Sequence, residues 1–133
     1  MRNLLIATAA FLLILLGGVT LPAAAAVTAL QGKDAGREIQ VKVGTIIELS
    51  LEEQAGTGYQ WDFDRLDEQH FELLQTATRR LTGEPRVGGP VLKTWRLKAK
   101  APGKSQFVLN YFRPWEGQGK AVKHFTLKFN LHQ

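Results

Sequence analysis

The sequence predicts an all-β fold: an immunoglobulin-like antiparallel β-sandwich of about seven strands, preceded by a secretory signal peptide. Apolar residues recur at every second position in run after run, and nothing beyond the leader sustains a 3.6-residue period. Clusters rich in Gly and Pro punctuate these runs at the spacing of a small sandwich. The third observation sets the first 26 residues apart from the rest.

Those residues read as Arg2, an apolar run from Leu4 to Leu16, Gly17-Gly18, Pro22, and alanines up to Ala26. This is the charged, apolar and small-residue order of a signal peptide, with cleavage expected after Ala26. An uncleaved anchor is the alternative, but the run is short for a membrane span and ends in Gly-Gly and Pro. The expected organisation is a leader over 1–26 and one domain over 27–133, exported to the periplasm or beyond. No stable membrane insertion is expected once the leader is removed.

The chain contains no cysteine among its 133 residues, so the fold must rest on packing alone. That also excludes a thiol nucleophile, a cysteine-ligated metal and a lipid-modified N-terminus. Basic residues outnumber acidic ones, 17 to 12, and only Arg2 belongs to the leader. The excess alternates with apolar residues along the strands instead of clustering, which is the pattern of solvated faces. No nucleic-acid partner is expected.

Taken in order, Val27 to Gly36 has no clear period and reads as a loose lead-in. Ile39, Val41 and Val43 then share one face of a strand, and Ile47, Leu49 and Leu51 share another after Gly44. A turn-rich loop over 52–58 leads to Tyr59, Trp61 and Phe63 at spacing two, which makes Trp61 a central core candidate. Asp64 to His70 is a polar connection. Phe71 to Leu81 is extended, although Leu73-Leu74 breaks its alternation.

The strongest loop signal follows over 82–90, with Gly83, Pro85, Gly88, Gly89 and Pro90. Val91, Trp95, Leu97 and Ala99 line one face of a long strand, and Ala101 to Lys104 form a tight turn. Phe107, Leu109 and Tyr111 make the next inner face. The chain then breaks at Arg113-Pro114-Trp115, where Pro114 stiffens a turn and Gly117 and Gly119 argue against burial of the Trp. Phe125, Leu127, Phe129 and Leu131 form the cleanest strand of all. If consecutive strands run antiparallel, the loops at 52–58, 82–90 and 113–120 emerge at one end. One end would thus gather the glycines, the prolines and an exposed Trp115 beside Arg113, as a binding tip does.

Catalytic chemistry finds little support. His70, His124 and His132 are isolated from any plausible serine in the strand order and have no metal-ligand spacing. They read as surface histidines. The carboxylates Glu52-Glu53 and Asp62/Asp64 sit beside loops and read as solvation. Gly88-Gly89 lacks the Lys-Ser/Thr and the helix of a phosphate loop. Neither an enzyme nor a metal nor a cofactor is expected.

Three loops together resemble a known family. Arg113-Pro114-Trp115 resembles the Arg-Pro-Trp motif of the chagasin family of cysteine-peptidase inhibitors. Gln54 to Tyr59 resembles that family's Asn-Pro-Thr-Thr-Gly-Tyr loop, and Arg86-Val87-Gly88-Gly89 resembles its Gly-x-Gly-Gly loop. The order and intervals match across essentially the whole segment after the leader. Gln54, Ala55 and Gly56 depart from the first motif and Arg86 from the second. Losing a Pro and gaining Gly56 is expected to loosen the first loop before binding.

The resemblance implies a monomeric, reversible, tight-binding inhibitor whose three loops enter the cleft of a papain-like cysteine peptidase. It implies that Thr57 and Gly58 lie over the nucleophile and that Gly88 and Gly89 approach one cleft wall. Arg113, Pro114 and Trp115 would grip the other, with Tyr59 supporting the loop from the core. An immunoglobulin-like fold also hosts adhesion and envelope-assembly modules, and such an exported binding module is the alternative function.

Overall fold

The computed structural model describes residues 17–18, 24–81 and 89–133. Most of the expected leader, and residues 82–88 of the second loop with Arg86 and Gly88, lie outside the described residues. Among the described residues, eight strands follow in chain order. The first four are β1 (Val27–Gln31), β2 (Glu38–Lys42), β3 (Ile46–Gln54) and β4 (Gln60–Phe63). The others are β5 (Phe71–Arg80), β6 (Pro90–Ala99), β7 (Gly103–Phe112) and β8 (Lys123–His132). Single 3-10 turns lie at Gly32–Asp34 and Gln118–Lys120.

The strands form two sheets of four, ordered β1-β3-β6-β5 and β2-β8-β7-β4. Alternation decides what lies between them. Ile47, Leu49, Leu97, Leu109 and Leu127 are wholly inaccessible, and each contributes about 1.5–3 kcal/mol on burial. Phe71, Phe107 and Phe129 fill the half of the core away from the loops, with ring centroids 4.5–5.1 Å apart. Trp61, expected as a core residue, is buried and packs 4.9 Å from the ring of Tyr111.

Three features differ from the strand reading. Val27–Gln31 is a strand and not a loose lead-in. It pairs with β3 in parallel, Val27 opposite Ile46, and buries only Leu30, so it shows no alternation. β2 likewise pairs with β8 in parallel, so the antiparallel order gives way at one edge of each sheet. β7 begins at Gly103, inside the expected tight turn. The Leu73-Leu74 irregularity is a genuine shift of register: Leu73 faces Leu97, Gln75 faces Arg96, and Leu74 is the extra residue of a bulge.

The register sets the loop end. Gln54 pairs with Pro90, and Gln60 pairs with Phe112. The β3–β4 and β7–β8 connections therefore leave the sandwich at the end where β6 enters it. The turn at Gly44 and the approach to Gly103 occupy the other end, where the Gly44 N–H donates to the Ala99 carbonyl at 2.8 Å.

Candidate functional site

The first loop is tied more tightly than its composition predicts. The Thr57 hydroxyl donates to the Gln54 carbonyl at 2.7 Å, and the Tyr59 N–H donates back to that hydroxyl at 3.3 Å. Gly56 and Gly58 have φ of 86° and 81°, in the left-handed region where a side chain is strained. Gly56 thus supplies a conformation that the turn requires, and the loosening expected from it is offset by the bonds through Thr57. Below the loop, the Gln54 N–H donates to the Tyr111 hydroxyl at 3.1 Å, which joins the sheets under the tip.

Arg113 unites the first and third loops. Its Nε donates to the Thr57 carbonyl at 3.0 Å, and its guanidinium lies 4.5 Å from the ring centroid of Tyr59. Nη1 reaches Glu116 at 3.4 Å. Tyr59 in turn stacks on Tyr111 at 5.3 Å, which gives it the supporting place expected for it. Trp115 is exposed to 73% of its surface, as expected of a loop tip, while the end of its ring rests against Gly58. Behind it, the buried Asn110 amide donates to Gln118, whose own amide donates to the Phe63 carbonyl at 3.0 Å.

The second loop joins through Gly89, whose carbonyl accepts the Ala55 N–H at 3.3 Å. The structure therefore brings Thr57, Gly58, Gly89, Arg113, Pro114 and Trp115 to one end, with Pro114 exposed on the turn. Gly88 lies outside the described residues.

Two residues that read as ordinary are not. Glu53 continues the inward parity of Ile47, Leu49 and Leu51, and it is buried instead of solvated. Its carboxylate accepts the Trp61 N–H at 2.9 Å. Lys93 lies on the inward face of β6, and its ammonium donates to the Trp61 carbonyl at 2.9 Å. Parity along the two strands was the available signal for both.

His70 is likewise half-buried and not a free surface histidine. Its Nδ1 lies 2.7 Å from Asp67 Oδ2, and the Ser105 hydroxyl donates to the same oxygen at 2.8 Å. Burial opposes the charge on Asp67, but the bonds from Ser105 and His70 outweigh it and hold the carboxyl below its ordinary pKa. Ser105 thus bonds to the carboxylate and not to the imidazole, which is the wrong order for a nucleophile and its base. Among the described residues, no group of His, Asp and Glu is placed to hold a metal ion.

A sandwich that gathers left-handed glycines, an exposed Trp and an Arg over a Tyr ring on one edge has the features of a binding surface. The comparisons narrow the class. The model of the family described as "Chagasin family peptidase inhibitor I42" matches residues 40–129. The chain belongs to the chagasin family of peptidase inhibitors.

Solved structures agree on the fold. The cysteine protease inhibitor EhICP2 from Entamoeba histolytica superposes with a TM-score of 0.71 at 24% identity, covering 80% of this chain and 96% of that one. PbICP-C, solved in complex with falcipain-2, gives 0.55 at 18% identity over 82% and 93% of the two chains. The Leishmania mexicana ICP gives 0.51 at 22% identity over 84% and 94%. No curated protein matches the chain.

Proposed function

We propose that this protein inhibits papain-like cysteine peptidases reversibly, as a monomer, by occluding the active-site cleft with the edge formed by its three loops. The observation that carries this reading is the cross-bracing of the loops. Arg113 bonds to the Thr57 carbonyl and Trp115 rests on Gly58, so the first and third loops enter a cleft as one body, with Gly89 bonded to Ala55 beside them.

Preorganisation of this kind lowers the entropy lost on binding. Left-handed turns at Gly56 and Gly58 keep the segment bent, so it presents a blunt backbone and not an extended strand. Thr57 and Gly58 form the centre of the edge, Trp115 and Pro114 one flank, and Gly89 the other. The neighbour solved with falcipain-2 supports a peptidase as the partner. The composition of residues 1–26 supports export, with the peptidase met in the periplasm or outside the cell.

Titration of papain with the purified protein tests the reading. Stoichiometric, dilution-reversible loss of activity is expected. A folded protein that leaves papain active at micromolar concentrations overturns it.

A further inference from the structure

Among the described residues β4 is the edge strand of its sheet, paired only with β7, and Trp61 faces Tyr111 in that ladder. The backbone N–H and C=O of Trp61 point away from β7, towards a side where no described strand follows. Such groups ordinarily invite another strand or remain open to water. Here two side chains of the opposite sheet take the place of a strand. Glu53 Oε1 accepts the N–H at 2.9 Å and Lys93 Nζ donates to the C=O at 2.9 Å, while the two charged groups face each other at 3.9 Å. The Trp61 indole N–H completes the closure by donating to the Glu52 carbonyl at 3.1 Å.

Glu53 and Trp61 flank the Thr57-Gly58 loop in sequence, on β3 and β4 respectively. Whatever fixes one to the other fixes the span and direction of the loop between them. Two apolar residues at 53 and 93 would bury more favourably than an ion pair, since desolvation offsets much of the attraction. An apolar pair could not satisfy the Trp61 backbone.

We infer that Glu53 and Lys93 are positioning residues for inhibition: a half-buried charge clamp that closes the β4 edge and presets the Thr57-Gly58 loop. The inference rests on the inhibitory reading above for its consequence in binding, but not for the clamp itself.

The test uses the whole protein with Lys93→Met, the near-isosteric Glu53→Gln, and the double variant. Hydrogen exchange on the free protein is expected to rise about tenfold or more at the amides of Tyr59 and Trp61 in Lys93→Met, with the β3–β6 and β7–β8 ladders unchanged. Papain inhibition is expected to weaken about tenfold through faster dissociation. The double variant should be less impaired than Lys93→Met alone, because it leaves no carboxylate stranded without its cation.

Unchanged exchange at these amides in both single variants overturns the clamp, as does a uniform rise across the protein. Looser exchange with unaltered inhibition overturns its role in binding. If the unmodified protein leaves papain active, the inhibitory reading fails, and the exchange measurements still decide the clamp.

Discussion

The six-membered ring of Trp115 occupies the space that a Cβ on Gly58 would take, with Cζ3 2.9 Å and Cζ2 3.1 Å from that position. The most exposed large side chain of the edge and a left-handed glycine of its first loop are therefore one contact surface. Trp115 leaves its remaining area open to solvent, and Gly58 is glycine both for its φ and for the ring above it.

Replacing Trp115 by Ala is expected to weaken papain inhibition by about 1–3 kcal/mol, as loss of an aromatic anchor does. Stability should change by no more than about 0.5 kcal/mol, because the side chain is 73% exposed. Inhibition titration beside urea unfolding separates the two. A variant that unfolds would place Trp115 in the core.

Gly58→Ala should be more damaging than its single methyl group suggests. It forces a side chain into φ 81°, at about 1–2 kcal/mol, and drives Trp115 from its place. In a Trp115→Ala background the overlap is gone and only the backbone strain remains. The two substitutions should therefore be less than additive in a binding cycle.

Arg113→Lys keeps the charge and loses both the Nε bond to Thr57 and the planar stack on Tyr59. Inhibition is expected to weaken by about 1 kcal/mol, roughly fivefold, with the fold intact. Equal inhibition by the Lys variant would show that charge alone matters at this position.

Acid sensitivity should trace in part to Asp34. The Gln31 N–H, followed by the Arg37 side chain, holds its carboxyl below the ordinary carboxylate value. A pKa lower in the folded state gives stability that is present above the unfolded value, near 4, and is lost as pH falls through the folded one. Asp34→Asn should therefore be less stable at neutral pH. Its deficit should shrink below about pH 4, as urea midpoints across a pH series would show.

Much of this edge was legible because its parts are local. Alternation places Trp61 inside. A Pro just before Trp115 and glycines just after it place the Trp outside, and the strand order brings the loops to one end. The broken alternation at Leu73-Leu74 marks a real bulge. What alternation does not carry is partnership. β1 buries one side chain and is held by parallel pairing to a distant strand, so its own sequence has no period to show.

Glu53 and Lys93 escape for the opposite reason. Their charge suggests solvent, while their parity puts them inside, and only the unpaired Trp61 backbone on the other sheet explains why parity wins. The bonds that brace Gly56 and Thr57 also depend on the fold, because Arg113 and Gly89 arrive from elsewhere in the chain.

The parallel pairing of β1 with β3 has a practical consequence. Val27 lies beside Ile46, and Leu131 lies beside Gly103, so the chain enters and leaves at the same pole of the sandwich. The loop edge proposed to inhibit, beyond Gln54, is about 25 Å away along β3. Any tether at either terminus, whether a retained leader, a fusion partner or a sensor surface, would hold the molecule by its base and leave the loops facing outward.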